Sequence, residues 1–478
     1  MKLLFIQDTI DSESIGVSYI SSVLRSAGHT TDLFIASLEK NLFDKIRTFS
    51  PDAILFSVVI TKQDYYDKLG NELKKDFPKV KIIAGGPYIT LNNSFALREW
   101  LDFALIGEAE EAVVELIHAL ADGGDLRDIK NLVYKEEGRL IINELRNLNE
   151  DLDSLPFPDR GLYLKYPSFK NLTVKRFLSG RGCPYACTFC FTRKLRDIYR
   201  GKGRYIRKHS AERICEEINL MKRESVLRTV HFSDDLFLTD KKWLNEFYNI
   251  YPKKVGIPFQ CNLTANVIDE DIIRLLKECG LRGVGIGLES GVEEIRRKVL
   301  GKVFSNEEIL EVARLLHKYK IEIYTYNMIA LPHEKIDDAL MTLELNRRMN
   351  AKITQCNIAI PFEGLPLTEM AIKSSLLNDF SLTIHMNKRP ESPMIRVEFP
   401  EKFERLFLLF PFLSRFHVGF SVVKLLLKLP LNFLYRFLHR LTYFINMKEY
   451  YDISFLSGLM IFLDIKKGER YLKRFFKK

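Results

Sequence analysis

Cys183, Cys187 and Cys190 crowd into one short stretch, Ser179-Gly180-Arg181-Gly182-Cys183-Pro184-Tyr185-Ala186-Cys187-Thr188-Phe189-Cys190, at the spacing C-x3-C-x2-C. Thiolate is the usual ligand of iron–sulfur clusters. Three thiolates on one loop can hold three corners of a cubane. With no fourth cysteine beside them, one iron stays open to an outside ligand. Other readings fit less well. A structural zinc site closes with four protein ligands, and the next histidine along the chain is His209. Seven cysteines in 478 residues are sparse and odd in number for a disulfide framework. Chance spacing of buried thiols is the remaining alternative. Cys215, Cys261, Cys279 and Cys356 are scattered, as buried thiols in a reducing cytosol would be.

The whole stretch, and not only its cysteines, resembles the radical S-adenosylmethionine (SAM) superfamily. The resemblance implies that Cys183, Cys187 and Cys190 carry a 4Fe-4S cluster and that the amino and carboxylate groups of SAM chelate its open iron. It places Phe189 beside the adenine.

Such a loop must be carried by a strand, and the apolar run at 173–178 supplies one. Over residues 173–375 strand–helix units recur roughly every 30 residues, as a parallel barrel requires. Further strands are predicted at 229–235, 259–262, 283–290, 322–329 and 353–360. Six units make a partial (β/α)6, TIM-type barrel, whose functional residues belong at the carboxyl ends of its strands. Asp234 and Asp235 stand there, where the superfamily binds the SAM amino group. An ammonium partner offsets the cost of burying an acid, and a helix N-cap is the alternative use. Glu289, in Gly287-Leu288-Glu289-Ser290-Gly291, matches the fourth-strand motif whose acid contacts SAM, commonly through the ribose hydroxyls. Capping is again the alternative. Thr264 stands where the superfamily often has an arginine. In Ala330-Leu331-Pro332-His333-Glu334 both glycines of a Gly-Leu-Pro-Gly-Glu turn are replaced. Pro361 to Leu367 matches the sixth-strand turn near adenine.

Residues 1–125 show the same alternation, with strands at 3–6, 31–35, 52–59, 81–86 and 103–107. This pattern predicts an open, doubly wound α/β sheet of flavodoxin or Rossmann type, binding at its carboxyl edge. That edge carries Asp8, Ser57, Gly85-Gly86 and Gly107-Glu108, and adjacent glycines let a ligand approach the backbone. It resembles the cobalamin-binding domain that precedes the barrel in one radical SAM class. In that class the serine follows the third strand, and the glycine pair makes room for the nucleotide tail. Gly107-Glu108 falls in a further matching stretch, Ile106 to Glu110. The histidine of the cobalamin motif D-x-H-x-x-G is absent after Asp8, as it is in many members, so cobalamin here has no histidine lower ligand from that motif. A flavodoxin-like domain without cofactor is the alternative.

Residues 126–172 read as a connector, with a hairpin around Glu136-Glu137-Gly138-Arg139 and an extended Pro156-Phe157-Pro158 segment. Residues 376–478 read as a basic, Leu/Phe-rich helical tail. From Lys402 onward there are 15 Lys/Arg against 5 Asp/Glu, which accounts for the whole net charge of +10. No stretch offers the roughly 18 uncharged apolar residues that span a bilayer. Pro430 breaks or kinks the helical pattern. Basic amphipathic helices suit the surface of an anionic membrane, and covering the open side of the barrel is the alternative. Basic residues interleaved with aliphatics argue against a nucleic-acid groove.

The N-terminus has too short an apolar run for a signal peptide, so the expected location is cytoplasmic, with peripheral contact at the inner membrane face. The resemblance implies a cobalamin-dependent radical SAM enzyme that cleaves SAM to a 5′-deoxyadenosyl radical and methylates an unactivated carbon of a small-molecule or lipid-like substrate. A flavodoxin or ferredoxin would donate the electron. Cyclisation or rearrangement without methyl transfer, RNA modification, and a non-catalytic membrane-docked protein are the competing functions.

Overall fold

The computed structural model describes residues 1–9, 13–238, 240–377 and 391–453, with 455, 458, 459, 462, 463, 466–468 and 470 beyond them. Residue 10, where the cobalamin motif would put its histidine, and the basic–aromatic end at 473–478 lie outside the described residues.

The first sheet contains β1 (Lys2–Gln7), β2 (Thr30–Ile35), β3 (Ala53–Ser57), β4 (Lys81–Gly85), β5 (Phe103–Leu105), β6 (Leu132–Glu136) and β7 (Arg139–Ile142), in the order β2-β1-β3-β4-β5-β6-β7. The first five strands are parallel. Their order 2-1-3-4-5 is the flavodoxin-like winding, in which ligands sit beyond the carboxyl ends. Burial on both faces explains the apolar runs: Ala53, Ile54, Leu55 and Phe56 are all buried. The β6–β7 hairpin turns through Glu137 and Gly138, both at positive φ. It pairs antiparallel with β5, so this part of the connecting segment completes the sheet.

The second unit begins with β8 (Val174–Phe177), followed by a short antiparallel ribbon of β9 (Gly180–Arg181) and β10 (Arg207–Lys208). Next come β11 (Thr229–Phe232), β12 (Phe259–Leu263), β13 (Leu281–Glu289), β14 (Glu322–Ile329) and β15 (Ile353–Ile358). The sheet order β15-β14-β13-β12-β11-β8 follows the chain, and all pairs are parallel, giving a six-stranded partial barrel. Val230, Phe232, Phe259, Val284, Ile286 and Ile323 face the helical layer and form the largest core. Alternation sends Arg176, His231, Gln260, Tyr324 and Tyr326 toward the lumen. Gly283 and Gly285 make space there, because a Cβ would stand 2.6 Å from the Tyr324 ring and 2.9 Å from the Tyr326 hydroxyl.

The tail forms helices Pro400–Phe416, Phe420–Leu426 and Asn432–Tyr451, broken at Pro430. Phe403, Leu406, Leu409, Phe410 and Leu413 pack with Ile329, Ile358 and Leu343, closing the β15 side of the barrel. The last helix reaches the opposite end of the strands from the cysteine loop. There the Tyr450 hydroxyl shares a 2.9 Å hydrogen bond with His231 Nδ1, and its ring lies 5.7 Å from that of Tyr324. Among the described residues no helix is long and apolar enough to cross a membrane.

Candidate active site

The three predicted ligand cysteines share the loop between β9 and the Phe191–Ile198 helix, which Cys190 caps with extended backbone. All three are partly exposed, whereas Cys215, Cys261, Cys279 and Cys356 are buried. The loop is tied down on several sides. The Thr188 N–H donates to Leu300 O at 3.1 Å, its hydroxyl donates to Val299 O at 2.6 Å, and Leu367 N–H donates to Thr188 O at 3.1 Å. Gly182 is required at the turn: φ is +92° and a Cβ would meet Tyr205 O at 2.4 Å. Burial pushes the Cys183 thiol up to about 11 and raises Cys187, where Lys302 opposes the rise. Bound iron would reverse that order, since a coordinating thiol is deprotonated. Among the described residues no three His, Cys, Asp or Glu side chains converge on a single-ion site. A cubane does not need such convergence, because each thiolate binds its own iron.

The two aspartates diverge. Asp234 is 3% exposed and is committed inside the protein. It accepts the Ser179 hydroxyl at 2.7 Å and N–H at 3.1 Å, and lies 3.4 Å from Lys208 Nζ. Lys208 in turn donates to the Phe237 carbonyl at 2.5 Å and stands over the Trp243 ring. Asp235 opens to the barrel mouth. Crowding by protein raises its carboxyl above the ordinary value, the Asp234 charge adds to this, and a hydrogen bond with Thr192 opposes it.

Glu289 ends β13 at a bulge, with φ +64°, and is buried. Lys302, absent from the sequence reading, lies 3.1 Å from its carboxylate and donates to Gly287 O at 2.6 Å. Gly287 is what lets them meet, since a Cβ would be 2.5 Å from both Glu289 Oε1 and Lys302 Nζ. The Phe189 ring is 6.0 Å from the same ammonium and packs against the apolar cluster that contains Ile295, Leu331 and Ala359. Fully buried Arg296 organises this corner by donating to Ser290 O at 2.7 Å, Phe304 O at 3.0 Å and Asn306 Oδ1 at 2.8 Å. In the following turn Ala330 and His333 hold φ +62° and +64°, so the two substituted glycine positions keep glycine-like backbone.

The carboxyl edge of the first sheet faces this mouth. Glu108 is gripped by Arg181 at 2.9 Å and by Arg207, and Glu110 pairs with Arg181 at 2.6 Å. The Glu108 N–H donates to the Tyr199 hydroxyl at 2.7 Å. A Cβ on Gly107 would stand 1.8 Å from that hydroxyl. Gly107 and Glu108 therefore bind the barrel, and Arg181 stands two residues before Cys183. Further along the joint, buried Arg160 bridges Glu13 and Glu217, each at 2.6 Å. Ser57 and Gly86 lie together at the edge: Gly86 has φ +97°, and a Cβ there would press on Val58 and the Ser57 hydroxyl. Gly85 has only ordinary contacts around an added Cβ. Among the described residues nothing demands glycine at Gly85.

Comparison with known proteins agrees with this fold. The radical SAM superfamily model matches residues 177–345, and the B12 binding domain model matches residues 1–117. The chain is 26% identical over 380 residues to an uncharacterized methyltransferase of Pyrococcus horikoshii, covering 76% of this chain and 79% of that protein. It is 24% identical over 366 residues to an anaerobic magnesium-protoporphyrin IX monomethyl ester cyclase of Rubrivivax gelatinosus, covering 72% of this chain and 64% of the cyclase. The structure of OxsB, a cobalamin-dependent SAM radical enzyme with aqua-cobalamin and SAM bound, superposes with a TM-score of 0.68 at 14% identity, covering 99% of this chain and 80% of that one. The chain carries a B12 binding domain and, after it, a radical SAM domain. It is a radical SAM enzyme whose cofactors are a 4Fe-4S cluster, SAM and cobalamin.

Proposed function

We propose that this enzyme methylates an unactivated carbon of a small-molecule or lipid-like acceptor. When bound, the cluster and SAM supply a 5′-deoxyadenosyl radical for hydrogen abstraction and cobalamin supplies the methyl group. The chain contributes position. Cys183, Cys187 and Cys190 hold the cluster on a loop pinned to the turn at Leu300. Asp235 receives the SAM ammonium, while Asp234 fixes the Ser179 end of the loop. Glu289, steered by Lys302, takes the ribose hydroxyls, and Phe189 lies against the adenine. Ser57, Gly85 and Gly86 receive the cobalamin tail. Gly107 and Glu108 serve cobalamin indirectly, by setting its edge against the cysteine loop. That ionic joint is the observation that carries the reading, because methyl transfer needs both cofactors over one substrate. A flavodoxin or ferredoxin is the electron donor, and the tail provides peripheral membrane contact.

The test is anaerobic. After reconstitution with iron, sulfide and cobalamin, 5′-deoxyadenosine formed from SAM and a strong reductant is expected to fall at least about a thousandfold in Cys187→Ala. Cobalamin is expected to stay with the protein through gel filtration. A product heavier by one methyl group supports methyl transfer, whereas a product with no added methyl selects the cyclase-like alternative. Equal deoxyadenosine from Cys187→Ala and the unaltered enzyme would overturn the cluster assignment.

A further inference from the structure

We propose that the outer face of the Phe420–Leu426 and Asn432–Tyr451 helices docks this enzyme on an anionic phospholipid bilayer. The proposal deepens the peripheral contact named above and does not depend on the radical chemistry. The inner face of these helices is already committed. Val423, Leu427 and Tyr435 are buried in the core that seals β15, and the Tyr435 hydroxyl donates to Leu426 O at 2.7 Å. What remains outside is apolar: Phe433 is 90% exposed, Phe437 57% and Leu425 56%, with Val422, Leu429, Leu434 and Leu441 beside them. Phe433, Phe437 and Leu441 recur at helical spacing, so they form one stripe. A contiguous apolar surface of this kind marks an interaction site.

Charge selects the occupant. Between residues 406 and 448 the chain has six Lys/Arg and no Asp/Glu. Lys424 and Arg436 are held by Asp337, Glu391 and Glu404. Lys428 and Arg440 are exposed and make no ion pair among the described residues. Aromatic and leucine side chains flanked by cations, on one helix too short to span and another too charged, are the composition of a surface-lying helix on anionic lipid. The face is also rigidly mounted, because Arg415 pairs with Glu449 at 2.6 Å and Tyr450 is locked to His231. Deleting the tail would open the barrel, so point substitutions on the outer face are the cleaner probe.

The full chain, reconstituted anaerobically, is floated with phosphatidylcholine vesicles with or without phosphatidylglycerol. The unaltered protein is expected to float with the anionic vesicles and to detach as salt rises. Phe433→Ser combined with Phe437→Ser is expected to weaken that binding at least about tenfold. Lys428→Glu combined with Arg440→Glu should weaken it by a similar factor. Deoxyadenosine formation is measured on the same samples. Flotation lost in both variants with deoxyadenosine unchanged supports the proposal. No flotation of the unaltered chain overturns it, as does equal binding to neutral vesicles, or a concentration-dependent dimer that the Phe433/Phe437 change dissolves. Flotation without deoxyadenosine would instead sink the catalytic reading and leave this one standing.

Discussion

The first sheet and the tail both lean on the barrel, and they do so with opposite chemistry. The first sheet joins through buried charge: Arg160 between Glu13 and Glu217, and Arg181 with Arg207 on Glu108 and Glu110. The tail joins through Phe403, Leu406, Leu409, Phe410 and Leu413, which sit on apolar residues of β14, β15 and the Ile336–Arg348 helix. Apolar burial is strong and non-directional, which suits a cover. Buried ion pairs add little net stability over apolar packing, but their geometry is directional. That suits a joint that must hold one cofactor's edge against the loop of another.

The comparison can be broken most directly by removing one partner from each contact. Arg160→Met leaves Glu13 and Glu217 buried without a cation and is expected to cost about 3–5 kcal/mol in denaturant unfolding. Leu409→Ala, which opens a cavity in the tail's seat, is expected to cost about 2–5 kcal/mol. The two then part in activity: deoxyadenosine per folded molecule falls in Arg160→Met and holds in Leu409→Ala. If both variants kept full activity, the ionic joint would be only another fastening.

A smaller effect separates the two aspartates. Asp235→Asn is expected to raise the apparent KM for SAM about tenfold with little change in stability, because that carboxyl opens to the mouth. Asp234→Asn should instead lower stability by about 1–3 kcal/mol, since Ser179 and Lys208 lose their acceptor charge. The reverse pattern would exchange their roles.

The last contrast is read through pH. Burial pushes the Glu334 carboxyl up to about 8, although backbone N–H groups of Leu331 and Ala330 oppose the rise. The folded chain then holds a proton that the unfolded chain releases above about pH 4.3. Stability therefore falls as pH rises toward 8, by on the order of 1.4 kcal/mol per pH unit, and levels off beyond. Glu334→Gln should flatten that slope in denaturant titrations from about pH 5 to 9. An unchanged slope would place the titrating group elsewhere.

Much of this was legible in the chain itself. The C-x3-C-x2-C loop, the strand–helix alternation and the glycines at strand ends are local patterns, written in residue type and spacing. They led to the two sheets, the partial barrel and the cysteine cluster. Pro430 likewise falls in the break between the Phe420–Leu426 and Asn432–Tyr451 helices. Tertiary structure decided what contacts between distant residues decide. Lys302 and Arg296 carry no motif, and only the fold brings Lys302 to Glu289 and Arg296 to the neighbouring Ser290 carbonyl. Asp234 and Asp235 are neighbours with the same side chain, and only the approach of Ser179 and Lys208 separates the buried anchor from the open carboxylate. Glu108 stands in a motif, but its partners Arg181 and Arg207 are supplied by the fold. Periodicity and spacing fix what a segment is. Which charge meets which is set by chain crossings, from Lys302 with Glu289 to Arg160 with Glu13, and no local pattern encodes them.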